Sequence, residues 1–157
     1  MSPKLLPLAA ATVSMIAAAG FEAAQAEGAG PAAHTAKLVP VKIHETFTPL
    51  SCSGSPGHRT TLEQEGCAEK QILKTDTQVN VLGAEIFQLL RDDRGRRDFN
   101  AAQRAWLNYR KADCFSMSDL FEGGTEAGVV DAQCVASRNS QRIKDLRTFK
   151  ANLLRTG

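Results

Sequence analysis

The chain is short of the residues on which most catalysis depends. It has three histidines, His34, His44 and His58, and all of them precede the long helical stretch of the sequence, so no Ser-His-Asp or Cys-His set is expected. It has no H-E-x-x-H pattern and no glycine-rich phosphate loop, and its adjacent carboxylates Asp92 and Asp93 lie in a charged turn where solvation explains them. A formal net charge of +2 is too small to imply a nucleic-acid partner. Past residue 20 no segment approaches the run of about 18 apolar residues that a membrane span requires. The expectation is a protein that is not an enzyme, uses no cofactor and no metal, and is not stably inserted in a membrane. Aromatic residues are also scarce, with one Trp and one Tyr, which makes their placement informative.

The N-terminus points to export. Lys4 precedes an uncharged run over residues 5–20 rich in Leu, Ala, Val and Ile, and Ala24-Gln25-Ala26 offers the small-x-small pattern of a signal-peptidase site. Residues 1–26 therefore read as a signal peptide, the rival being an uncleaved anchor, against which Pro7, the alanine-rich run and Ala26 all speak. No cysteine follows the cleavage site, so a lipid anchor is not indicated, and the expected location is periplasmic or secreted. Residues 27–50 read as a flexible or extended linker. Gly, Pro and small residues dominate its first half, and Val41, Ile43 and Glu45 then alternate before Phe47 within the limits set by Pro40 and Pro49.

Four cysteines in an exported chain predict two disulfides. Three pairings are open; Cys52 with Cys67 and Cys114 with Cys134 is the simplest, because each closes a short loop containing glycine. Loops of this size restrict the unfolded chain by about 3 kcal/mol each. Metal binding is the rival, but the spacings are far from the usual two-to-four-residue ligand pairs.

Residues 51–157 carry helical periodicity. Ile72, Val79, Leu82, Ile86 and Leu89, with Thr75 in the polar gap, mark a first helix over about 62–91. A polar break over 92–96 uses Gly95 as its turn residue, and Asp98 is expected to cap a second helix ending at Asp113. On that helix Phe99, Gln103, Trp106, Arg110 and Cys114 share one stripe, with Ala102, Ala105 and Tyr109 beside it. Gly123 and Gly124 break the chain again, and Thr125 is expected to cap a third helix over 126–154 that turns Val130, Cys134, Ile143, Leu146, Phe149 and Leu153 inward. Short connections make this an all-α, antiparallel three-helix bundle stapled by two disulfides, with an extended N-terminal segment. Counting outward from a first turn near Arg94 places Asp76 and Arg110 at one height, so they are expected to pair, and places Trp106 against Leu82 and Gly83. The alternative for Arg110 is that it runs out to solvent.

The run Gln103-Arg104-Ala105-Trp106-Leu107-x-Tyr109-Arg110, followed by Cys114, Gly123-Gly124-Thr125, Cys134, Arg142 and Leu146, resembles the lysozyme inhibitor LprI-like family. Cys52, Cys67, Asp76 and Val79-Asn80 match that family's cysteine pair and its helical D-x-x-L-N pattern, so the resemblance covers about residues 50–150. It implies a helical, disulfide-stapled envelope protein and, for some members, inhibition of host lysozyme. Asp76, Gln103, Trp106, Tyr109 and Arg110 are then structural motif residues. The chain departs from the pattern at Gly83, where members commonly carry Tyr, and in its 52–67 loop with Gly54, Pro56 and Gly57.

If the partner is lysozyme, whose cleft works with two carboxylates, donors and positive charge on a constrained loop would suit it. Ser53, Ser55, His58 and Arg59 form one such set, and Arg94, Arg96 and Arg97 form another. A second basic cluster, Arg138, Arg142, Lys144 and Arg147, reads as a solvated helix face. The rival function is a structural or adaptor domain that binds another envelope protein through Met117, Leu120 and Phe121.

Overall fold

In the computed structural model, which describes residues 37–156, Thr60 opens the first helix with a reciprocal cap. The Glu63 amide donates to the Thr60 hydroxyl at 3.3 Å, and the Thr60 amide donates to the Glu63 carboxylate at 2.9 Å. Helix α1, Thr61–Leu89, buries Ile72, Thr75, Asp76, Val79, Gly83, Ile86 and Phe87. The expected signal peptide, the segment 27–36 and His34 lie outside the described residues.

The reversal into α2 is tighter than the sequence suggests. It uses only Leu90, Arg91 and Asp92, and α2 runs Asp93–Ser118, so Asp92 rather than Asp98 is the cap and Arg94, Arg96 and Arg97 are helical rather than in a turn. The reason is local: the Asp92 carboxylate accepts the Gly95 amide at 2.7 Å, and Asp93 adds negative charge to the positive end of the helix. At its other end α2 passes through Cys114 instead of stopping at Asp113, because no breaker occurs before a 3-10 turn at Asp119–Phe121. Glu122 and Gly123, both at positive φ, then reverse the chain.

Helix α3, Thr125–Thr156, buries Val129, Ala132, Ala136, Asn139, Ile143 and Leu146 along one stripe, together with Cys134. Val130 sits one position off that stripe and is only half-buried, and Phe149 is exposed, its ring stacked on Phe99 at 6.1 Å at the core's edge; neither points fully inward as expected. Both disulfides take the simplest pairing, Cys52–Cys67 and Cys114–Cys134.

Helix α3 packs on both α1 and α2, while α1 and α2 make few direct contacts. The extended residues 38–47 tie these two helices together. Asn80 on α1 accepts the Ile43 amide at 2.7 Å and donates to the Ile43 carbonyl at 2.9 Å. Asn100 on α2 does the same for the Val41 amide at 3.0 Å and the Val39 carbonyl at 2.8 Å. A carboxamide carries one acceptor and a donor group, so each asparagine stands in for the neighbouring strand that this backbone lacks. Ile43 enters the main core, and Phe47 packs against a second, smaller cluster. Replacing Asn80 or Asn100 with alanine is expected to cost about 1–2 kcal/mol, read as a lower urea midpoint with accelerated proteolysis near residue 43. Unchanged proteolysis would show that the clasp does not hold the segment.

Farther along, Leu50 and Ser51 cross α1 at Gly66, where an added Cβ would lie 2.4 Å from the Ser51 carbonyl oxygen. That close crossing brings Cys52 to Cys67.

Candidate functional site

The two apolar clusters meet at a belt of buried polar residues. The main cluster contains Val79, Ile86, Phe87, Phe99, Ile143 and Leu146; the smaller one is built from Ala68, Ile72, Ala132 and Ala136. Between them lie Asp76 on α1, Arg110 on α2 and Asn139 on α3, all buried. Arg110 donates to Asp76 at 2.9 Å, to Asn139 Oδ1 at 2.8 Å and to Glu45 of the extended segment at 2.8 Å. The Asn139 amide completes the belt, donating to Asp76 at 2.8 Å and to the Thr75 hydroxyl at 3.0 Å. One guanidinium thus joins all three helices and the segment. The other Asp76 oxygen, Oδ2, is buried without a hydrogen-bond partner among the described residues, and burial pushes the carboxyl above its usual range against the pull of Arg110 and Asn139.

Trp106 does not face Gly83. The Arg110 and Arg142 guanidinium groups lie 5.4 and 5.5 Å from its ring centroid, and the nearest group to a Cβ at Gly83 would be the Gln103 carboxamide at 3.4 Å. Gln103 in turn accepts from Arg142 at 2.9 Å, and burial lowers the Arg142 pKa. Tyr109 is exposed under Arg138, which binds Asp113 at 2.6 Å beside the second disulfide. Asp113, Cys114 and Cys134 are the one group of ligand-type atoms close enough to hold a metal among the described residues, but both sulfurs are committed to each other.

Antiparallel order puts the start of α1, the end of α2 and the start of α3 at one end of the bundle, so both disulfides are there. The 52–59 loop shares that end; Arg94, Arg96 and Arg97 sit at the opposite one, roughly 40 Å away by the rise of the helices. The two candidate partner-binding sets are therefore far apart. Arg96 is occupied, donating to the Phe87 carbonyl at 3.3 Å over the Phe87 ring, while Arg94 is exposed beside Asp98 and Arg97 is exposed. In the loop the Ser53 hydroxyl is bound to Glu63 and Arg59 is partly covered, whereas Ser55 and His58 are exposed, as is His44.

The stapled end carries the three residues expected of an adaptor surface and two features that the sequence pattern did not single out, Phe115 and a groove beside it. Phe115, 66% exposed, joins Met117 at 42%, Leu120 at 80% and Phe121 at 43%. Beside Phe115 a groove of about 690 Å³ opens between α1 and α2, floored by α3 and closed on one side by Glu45 and Phe47. The small Ala132 side chain leaves room on its floor. Asp131, on the groove floor, has its carboxyl raised by burial, with Arg110 opposing. A carboxyl with a raised folded-state value binds more protons folded than unfolded, so its penalty is full at neutral pH and fades as pH falls toward about 3.9. Asp131→Asn is therefore expected to raise the melting temperature at pH 7, by an increment that shrinks on acidification; a lower melting temperature at pH 7 would contradict this.

No helix among the described residues is long and apolar enough to cross a membrane. A family model described as lysozyme inhibitor LprI matches residues 52–146. No curated protein and no solved structure matches the chain. Both disulfides, the buried Asp76–Arg110–Asn139 belt and the α2 stripe fall within the matched residues, and the chain belongs to the lysozyme inhibitor LprI family.

Proposed function

We propose that the protein is an exported, non-catalytic binding module, periplasmic or secreted, that inhibits lysozyme with the stapled end of its bundle. The observation that carries this reading is the exposed apolar tip of Phe115, Met117, Leu120 and Phe121, held on a corner that the Cys114–Cys134 bond fixes. Several exposed apolar side chains on one short segment mark a candidate interface, and a covalently fixed corner loses little entropy when a partner covers it. Ser55 and His58 on the neighbouring stapled loop add donors that suit a cleft built on carboxylates. The opposite end is less suited, because Arg96 is already committed to α1.

The same tip supports a second reading, an adaptor that binds another envelope protein. Lysozyme hydrolysis of peptidoglycan, followed by turbidity with increasing amounts of the oxidised mature protein, separates the two. A dose-dependent fall in rate is expected for an inhibitor. Undiminished hydrolysis at large molar excess leaves only the adaptor.

A further inference from the structure

We infer that the groove between α1 and α2 is a docking site for a protein segment that presents a lysine or arginine side chain next to an apolar one. Its apolar wall is formed by Leu107, Phe115 and Phe47, its α1 side carries Glu65 and Glu69, and its floor carries Asp131. Among the described residues none of these three carboxylates is in an ion pair: Glu69 accepts only the Leu50 amide, at 2.6 Å, and Arg110, which acts on Asp131 through space, is bonded to Asp76 and Glu45, leaving Lys111 as the other cation of the lining. The groove thus sets apolar side chains beside carboxylates that no ion pair neutralises. Asp131 is held partly desolvated with its ionisation disfavoured, a cost that an incoming cation would relieve.

The spread of the charges selects the class of cation. No three of these carboxylates bring their oxygens within 4.8 Å of one another, so they do not form a metal cage. An ammonium or guanidinium group on a long apolar stem reaches separated carboxylates while its methylenes lie on Phe115 and Leu107. Gly128 shapes the site as well: a Cβ there would meet the Glu65 carboxylate at 2.4 Å, so the glycine is what allows Glu65 to lie against α3.

This inference rests on the protein being a binding module but not on lysozyme being its partner. The test is an amide chemical-shift titration of the oxidised mature protein with two blocked tripeptides, Lys-Phe-Lys and Glu-Phe-Glu. Saturable shifts at Glu65, Lys111 and Asp131 are expected with the first and not with the second. The isosteric double variant Glu65→Gln, Asp131→Asn should weaken binding at least about tenfold, the equivalent of about 1.4 kcal/mol. No saturable shift, shifts confined to residues 91–97, or equal binding by the double variant would overturn the inference. The peptidoglycan assay keeps the two readings apart: a protein that binds Lys-Phe-Lys in the groove yet leaves lysozyme active retains the docking site and loses the inhibitor role. One that inhibits lysozyme without binding the peptide does the reverse.

Discussion

Arg110→Ala is expected to lower the free energy of unfolding by about 3–5 kcal/mol, the largest effect of any single substitution in the belt. The Arg110 and Asp76 side chains are only 8% and 6% exposed, so little solvent would reach the carboxylate left behind. Asp76 already has one oxygen without a partner; without the guanidinium it would keep only the Asn139 amide against the full cost of burial. Glu45 would lose its anchor at the same time, loosening the segment that ties α1 to α2. Arg110→Lys should recover only part of the loss, because one ammonium cannot match a planar fork that reaches Asp76, Asn139 and Glu45 together. Urea denaturation of the oxidised protein checks both variants. A loss below about 1 kcal/mol for Arg110→Ala would place the pair among solvated surface bridges and contradict the buried belt.

The second large effect is expected from opening Cys114–Cys134. The bond closes a separation of 20 residues, for which restriction of the unfolded chain is about 3 kcal/mol. For a domain of this size that corresponds to a melting temperature lower by roughly 10 °C. The double variant Cys114→Ala, Cys134→Ala also empties a position where Cys114 is fully buried, so its loss should exceed the entropic figure. Scanning calorimetry of this variant beside the oxidised parent measures the difference. An unchanged melting temperature would show that the Arg138–Asp113 pair and helix packing already hold the corner without the bond. Because Phe115 and Met117 follow Cys114 on α2, and Leu120 and Phe121 lie in the 3-10 turn after it, the variant should also lose partner affinity at temperatures where it remains folded.

The α2 stripe was legible because burial and periodicity coincide there: Phe99, Gln103, Arg110 and Cys114 are all buried, on the face their spacing predicts. The meeting of Asp76 with Arg110 was legible too, since an antiparallel hairpin of regular helices converts sequence separation into height. Turning from height to direction is harder. Trp106 lies near the Arg110 and Arg142 guanidinium groups, and Gln103 occupies the space near Gly83, because the contact that Arg142 makes from α3 leaves no pattern in the sequence of α2.

Asn139, Glu45 and the paired clasps of Asn80 and Asn100 were missed for the same reason. An asparagine in a helix reads as ordinary polar surface until the backbone it binds, 37 to 61 residues earlier in the chain, is placed beside it. The early start of α2 could have been read, however: Asp92 three residues before the Gly95 amide is a capping arrangement, and the turn preference of glycine obscured it. The groove has no sequence signal of its own. It arises where Ala132 leaves room on α3 between two helices that barely touch each other, with Phe47 of the extended segment lining one side.

Hydrogen exchange of the protein, alone and saturated with lysozyme, tests the central claim most directly, because the two candidate binding sets lie at opposite ends of the bundle. Slower exchange on complex formation is predicted at residues 52–59 and 115–121, with residues 91–97 unchanged. Protection confined to residues 91–97, or none anywhere in the chain, would contradict the assignment of the stapled end as the binding end.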